Sequence, residues 1–153
     1  MAAQPIVSQA FDHISETFET NMNGTMNVIE ASRRVESIKS IAVITTDKVY
    51  LNEGAHNTNH LEEDYLGAHE PYGLSKVASE LVVDAFNISA LSHEEKIYTF
   101  RSGNVIGGGD TSENRLLPQI AKNVFYGDKL QIRNLEASRP WQHVLDTLFG
   151  CIS

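Results

Sequence analysis

The four residues Ile41-Ala42-Val43-Ile44 constrain the fold more than any other stretch of this chain. They form a short, apolar, largely β-branched run with polar residues on either side, the pattern of a strand buried on both faces in a parallel sheet. What lies on each side of it is helical in period. From Phe11 the apolar residues fall at Phe11, Ile14, Phe18, Met22, Met26 and Ile29, which predicts one long amphipathic helix ending around Ser32-Arg33-Arg34. Gly24 inside it costs about 1 kcal/mol against alanine, and close packing on a neighbour would be one reason to keep it. A second helical pattern opens at Pro71-Tyr72, continues through Leu81, Val82 and Phe86, and runs to about Ser89. Lys96 to Arg101 reads as the next strand. A helix between two such strands is a crossover, so the chain predicts an α/β fold with a mostly parallel sheet.

The rest of the chain supports that alternation. Ser102 to Asp110 is dense in glycine, and a helix with Leu116, Leu117, Ile120, Val124 and Phe125 on its apolar face follows. A short strand is expected around Leu130-Gln131-Ile132, then Arg139-Pro140-Trp141-Gln142-His143-Val144 and a terminal helical pattern. Leu51 to Pro71 has no clear period, and a loop that long in a domain is often a lid or binding loop. There are no internal repeats and no low-complexity segment. Two buried strands and a short third make a thin sheet, so the sequence reads as part of a domain.

Charge and composition exclude several classes of function. A formal net charge of −8 argues against a general nucleic-acid or anionic-membrane binder. No apolar run approaches the roughly 20 residues of a membrane-spanning helix. The first ten residues lack the basic and apolar regions of a secretory signal. With one cysteine, Cys151, no internal disulfide can form. A cytoplasmic protein is the expectation. The six histidines are scattered without zinc-site spacing, and His56 with His60 is too weak a pair to predict a metal site.

Two clusters carry chemistry. On a helix, Tyr72 and Lys76 lie on one face, so a phenol and an ammonium can converge. A free tyrosine titrates near pH 10, and a cation lowering it by ~3 units, worth roughly 4 kcal/mol, would make it a usable acid–base group. Thr45-Thr46-Asp47-Lys48 follows the first strand at its C-terminal end, where open parallel sheets bind ligands. Each residue also has an ordinary reading. Lys76 suits a solvated helix face, Thr45 and Thr46 are β-formers, and Asp47 can cap the following turn. Trp141 suits packing, Cys151 an inert buried thiol, and Glu62-Glu63-Asp64 a solvated loop.

Taken in order, Ala2-Ala3-Gln4-Pro5, Thr46-Asp47-Lys48-Val49-Tyr50, Tyr72 with Lys76, Arg101 to Asp110 and Arg139 to Val144 resemble the extended short-chain dehydrogenase/reductase family. Within it they resemble the nucleotide-sugar 4,6-dehydratases, the branch acting on CDP-glucose above all. The resemblance covers nearly the whole chain. It implies a partial Rossmann-like, doubly wound parallel sheet with helices on both faces and its first strands missing. Residues 1–133 would be a partial NAD-binding domain and 134–153 the start of a substrate-binding region.

The resemblance also implies roles. Tyr72, held as phenolate by Lys76, would take the proton of the sugar 4-hydroxyl, with Thr46 bonded to the same oxygen. Asp47 would protonate the departing 6-hydroxyl. Related dehydratases carry a glutamate next, which takes the C5 proton; here Lys48 stands in that place and would need a lowered pKa to do so. Ala2, Ala3, Gln4, Asn21, Tyr72, Lys76 and Ser102 match cofactor-side positions, the cofactor being NAD. Gly103, Asn104 and Arg139 match positions around a nucleotide-diphosphate sugar, the guanidinium suiting phosphate oxygens. A homodimer through the long helices is the expected assembly.

One departure is large. The Gly-x-x-Gly-x-x-Gly turn with which the family receives a pyrophosphate at a helix N-terminus does not occur in these 153 residues, and Gly107-Gly108-Gly109 lacks its spacing. Three functions therefore stay open: a 4,6-dehydratase fragment inactive alone, a relative such as a sugar-nucleotide 4-epimerase, and a non-catalytic remnant that associates with a full-length relative.

Overall fold

A computed structural model of the chain describes residues 3–51, 59–89, 96–112, 114–127, 129–130, 132 and 134–153. The chain divides into two compact units, Met1–Ser102 and Gly103–Ser153. In the first, α1 (Val7–Asp12), α2 (Ile14–Phe18), a π-helical turn (Glu19–Asn23) and α3 (Gly24–Ser32) precede strand β1 (Ser40–Thr46). A 3₁₀ turn (Asp47–Val49), helix α4 (Pro71–Ser89) and strand β2 (Lys96–Ser102) complete it. Strands β1 and β2 pair in parallel from Ser40 opposite Lys96 to Thr46 opposite Ser102, with α4 in the crossover between them. The parallel α/β arrangement expected from the two β-branched runs is therefore present.

An apolar core lies where α3 and α4 meet the sheet. Ile29, Val83 and Ile97 are buried there, and Ile41, Val43, Val82 and Phe86 pack around them. The register partners Ala42 and Tyr98 point to the other side of the sheet and are exposed, so β1 is not covered on both faces as expected. Alternation explains this: the side chains of Ile41, Val43 and Thr45 meet the helices, and that of Ala42 between them points away.

The long N-terminal helix is not continuous. His13 leaves helical geometry (φ −131°, ψ 55°), and the chain widens into a π turn around Asn21. Its inward stripe is Ala10, Thr17, Asn21 and Ile29, whereas Phe11, Ile14 and Met26 of the predicted apolar face are exposed. Hydrogen-bonded polar groups have taken the inner positions, so hydrophobic period misplaces this face. Gly24 serves no close approach, because a methyl there would meet only the Glu19 carbonyl, at 3.9 Å. In α4, Leu81 of the predicted apolar face is likewise exposed.

The second unit holds β3 (Asn104–Ile106), α5 (Leu116–Tyr126), β4 (Trp141–His143) and α6 (Val144–Ile152). Strands β3 and β4 pair in parallel, so part of the expected glycine-rich loop is a strand. The expected strand at 130–132 is not formed at Leu130 or Ile132, and Gln131 lies outside the described residues. Val124 and Phe125 of α5 and Trp141 of β4 are exposed. Among the described residues no helix is long and apolar enough to cross a membrane.

Candidate active site

Strand β1 ends on two buried threonines, Thr45 and Thr46. The Thr46 hydroxyl accepts from the Lys48 amide (3.4 Å) and donates to the Asp47 carboxylate (3.2 Å). Thr46, not Asp47, thus caps the turn, while fully buried Val49 anchors it. Asp47 is partly buried and the Lys48 side chain is exposed.

Helix α4 starts against that turn. Pro71 suits the first helical position, where its missing N–H costs nothing. The Glu70 carboxylate before it accepts from the amides of Tyr72 (2.8 Å) and Gly73 (2.7 Å), satisfying two donors at the positive end of the helix. Gly73 is buried, and a side chain there would lie 2.7 Å from the Ala68 methyl and 3.1 Å from the Lys48 carbonyl oxygen. Only glycine allows this contact. It brings the Lys48 ammonium to 6.0 Å from the centre of the Tyr72 ring, at the reach of a cation–π interaction. The Lys76 ammonium donates to the Ile44 carbonyl (3.1 Å), and burial holds its pKa below the ordinary lysine value. Tyr72 and Lys76 are both buried and Ser102 lies beside Thr46 in the sheet register, so one end of the β1–β2 sheet gathers Thr46, Asp47, Lys48, Tyr72, Lys76 and Ser102.

Asn21 supports the start of α4 from behind. Its amide nitrogen donates to Ser75 Oγ (2.9 Å), and Ser75 Oγ donates to the Tyr72 carbonyl (2.6 Å). The same side chain holds Gln4 at both backbone groups, accepting from its N–H (2.9 Å) and donating to its C=O (3.1 Å). Gln4 Nε2 donates onward to Thr17 Oγ1 (3.0 Å). Ala3 is exposed on this tethered segment, and Ala2 lies outside the described residues.

A charge pair between a buried carboxylate and a half-buried guanidinium was not anticipated from the sequence. Glu80 accepts from Arg101 through Nε (3.0 Å) and Nη2 (2.6 Å), and Thr45 Oγ1 donates to the same carboxylate (2.6 Å). Arg101 Nη1 also donates to the Glu62 carbonyl (2.8 Å), and the guanidinium lies 4.8 Å from the Tyr50 ring centre. Glu80 holds the guanidinium charged well above the ordinary arginine range. Tyr50 in turn stacks on His60, which pairs with Asp64, and His56 lies outside the described residues. One signal existed: Glu80 falls four residues after Lys76 on the same helix face.

In the second unit, Gly103 lies so close to Pro140 that a side chain would come within 2.8 Å of its ring. The Asn104 amide donates to the Pro140 carbonyl (2.8 Å), which brings Gly103 and Asn104 beside Arg139. The exposed Arg139 guanidinium donates to the Ser138 carbonyl (2.7 Å).

Comparison with known proteins gives this geometry a context. Residues 1–152 match the model of the NAD dependent epimerase/dehydratase family. The chain is 39% identical over 158 aligned residues to the CDP-glucose 4,6-dehydratase of Salmonella typhimurium, an alignment that covers 99% of this chain and 44% of that enzyme. A UDP-glucose 4-epimerase of Mycoplasma genitalium is 25% identical, over 95% of this chain and 46% of its own. Among solved structures, the dTDP-glucose 4,6-dehydratase DesIV of Streptomyces venezuelae, crystallised with NAD bound, matches with a TM-score of 0.81 at 25% identity, over 99% of this chain and 44% of its own. The chain therefore spans less than half the length of these relatives.

Proposed function

Because this chain belongs to the NAD dependent epimerase/dehydratase family, we propose that it carries the proton-transfer residues of a nucleotide-sugar 4,6-dehydratase, with CDP-glucose the favoured substrate. The supporting observation is the junction at Gly73, which holds the Thr46-Asp47-Lys48 turn against the start of the Tyr72 helix. The reading assigns a buried phenol, a carboxylate and two ammonium groups to one end of a parallel sheet.

In this reading the nicotinamide and ribose end of NAD meets the Tyr72 hydroxyl, the Lys76 ammonium and the Ala3, Gln4 and Ser102 positions, with Ala2 outside the described residues, while Asn21, engaged by Gln4 and Ser75, acts by holding Gln4 in place. The chain supplies no glycine turn for the pyrophosphate within these 153 residues. When bound, NAD supplies reversible hydride storage. The chain's own residues move the protons. Tyr72, as phenolate, accepts the proton of the sugar 4-hydroxyl while Thr46 bonds the same oxygen, so Thr46 first turns away from Asp47. The 4-ketone acidifies C5–H, water leaves across C5–C6, and Asp47 protonates the departing 6-hydroxyl. Lys48 stands where related enzymes remove the C5 proton. Gly103, Asn104 and Arg139 hold the diphosphate sugar. The Asp47-Lys48 pair favours a dehydratase, since a 4-epimerase has no water to eliminate.

The protein acts in the cytoplasm as a homodimer in this reading. Exposed Phe11, Ile14, Val28, Leu81 and Ile88 on its long helices support that assembly. The test begins with calorimetric titration of the folded protein with NAD, followed by assay with CDP-glucose. A 4-keto-6-deoxy sugar supports the proposal; a 4-epimer transfers the assignment to the epimerases. Folded protein that takes up no NAD and turns over nothing is the remnant, and its association with a full-length relative becomes the activity to measure.

A further inference from the structure

We propose that Lys48 is a positioning residue that acts through Tyr72: its ammonium is a second cation, and its charge is what helps hold the phenol as phenolate. This deepens the proposed function and rests on it only for the turnover readout. Three observations converge. The Lys48 ammonium lies 6.0 Å from the Tyr72 ring centre. The Lys48 backbone lies against the helix start, since a side chain at Gly73 would come 3.1 Å from its carbonyl oxygen. The other cation, Lys76, is committed to the Ile44 carbonyl and buried. Burial weakens the hold of Lys76 on its proton, so a solvent-exposed second ammonium secures the phenolate where the first alone does so less well.

Among the described residues, the other ionisable groups at this helix start are few. Asp47 shares the turn with Lys48, and His69 and Glu70 lie on the incoming loop. The Glu70 carboxylate is engaged by two helix amides. Glu80, two turns further along α4, is balanced by Arg101. A nearby carboxylate opposes a phenolate and a nearby ammonium favours it. Removing one lysine therefore moves Tyr72 upward.

The experiment compares Lys48→Met with Lys48→Arg, a cation that cannot give up its proton and so cannot act as a base. Tyr72 is titrated by the ultraviolet difference spectrum of the phenolate, isolated by subtracting the Tyr72→Phe variant, with circular dichroism confirming the fold of each. Lys48→Met is expected to raise the Tyr72 midpoint by roughly 0.5 to 1 unit at low salt. The shift shrinks at high salt because Lys48 is exposed. Lys48→Arg is expected to stay with the wild type. In a protein that turns over, the acid limb of kcat/KM moves up in Lys48→Met and not in Lys48→Arg. A Tyr72 midpoint that ignores Lys48→Met overturns the proposal. So does a Lys48→Arg midpoint that rises as far as that of Lys48→Met. Absent turnover in every variant counts against the dehydratase reading, while the titration still decides this one.

Discussion

The two halves of α4 are held in place by different forces. From Tyr72 to Glu80 the buried stripe is Tyr72, Ser75, Lys76, Ser79 and Glu80, almost entirely polar. From Val82 to Phe86 the same helix packs Val82, Val83 and Phe86 against Ile29, Ile41, Val43 and Ile97. Apolar burial is non-directional and roughly proportional to area, so the second half sets stability without fixing angles. Hydrogen bonds are directional, and among the described residues no buried side-chain nitrogen or oxygen lacks a partner. The first half therefore fixes orientation. The proposed catalytic groups all belong with it.

Substitutions that exchange the two kinds of support break the contrast. The largest effect is expected for Glu80→Ala, which leaves the half-buried Arg101 guanidinium without its carboxylate and takes an acceptor from buried Thr45, at a cost of about 3 kcal/mol in urea unfolding. Replacing both partners with apolar residues of similar volume is expected to restore most of that stability while loosening the loop that Arg101 holds at Glu62. In the apolar half, Ile29→Ala is expected to lose about 3 kcal/mol through the cavity it opens, with the Tyr72 titration unmoved.

Two glycines sharpen the comparison further. Gly73→Ala drives a methyl into Ala68 and the Lys48 carbonyl, costing about 2 kcal/mol by overpacking and displacing Lys48 from the Tyr72 ring. Gly24→Ala finds open room in helical backbone and is expected to stabilise by about 0.5–1 kcal/mol. Equal effects at the two positions would refute the close approach at Gly73.

The smallest effect is a slope with pH. Lys76 releases its proton at lower pH in the folded chain than in the unfolded one. Between those two values the unfolded state holds more protons, so stability rises with pH. Relative to Lys76→Met, the wild type is therefore expected to gain unfolding free energy as pH climbs toward the ordinary lysine value, in denaturant titrations at matched salt.

How much of this could be read in advance follows from the same contrast. The β-branched runs of β1 and β2 and the span of α4 are legible because burial of apolar side chains leaves a period. The site's outer residues, Thr46 to Lys48 and Tyr72 with Lys76, are legible as polar clusters at a strand end and a helix start. The inner polar layer is not. Thr17, Ser75, Ser79 and Glu80 read as surface residues and Asn21 stands out only through the family resemblance, because their partners lie on other elements: Asn21 meets Ser75 across 54 positions of sequence. For the same reason Phe11, Ile14 and Leu81 read as core and are exposed. A hydrophobic pattern shows which face is greasy, and here part of the inner face is not.

The parallel pairing of β1 with β2 also dictates an order of events during synthesis. Parallel neighbours cannot close through a hairpin, and here the whole of α4 separates them. On a ribosome, Thr45 emerges long before the carboxylate that will accept from it, since Glu80 and then its partner Arg101 must follow. Until Ser102 has cleared the exit tunnel, β1 presents an unpaired edge and an unsatisfied polar end, the kind of surface on which nascent chains aggregate. The proposed catalytic end of the sheet is thus the last part of the first unit to assemble, and slower elongation once Ser102 has cleared the tunnel is expected to raise the yield of soluble protein.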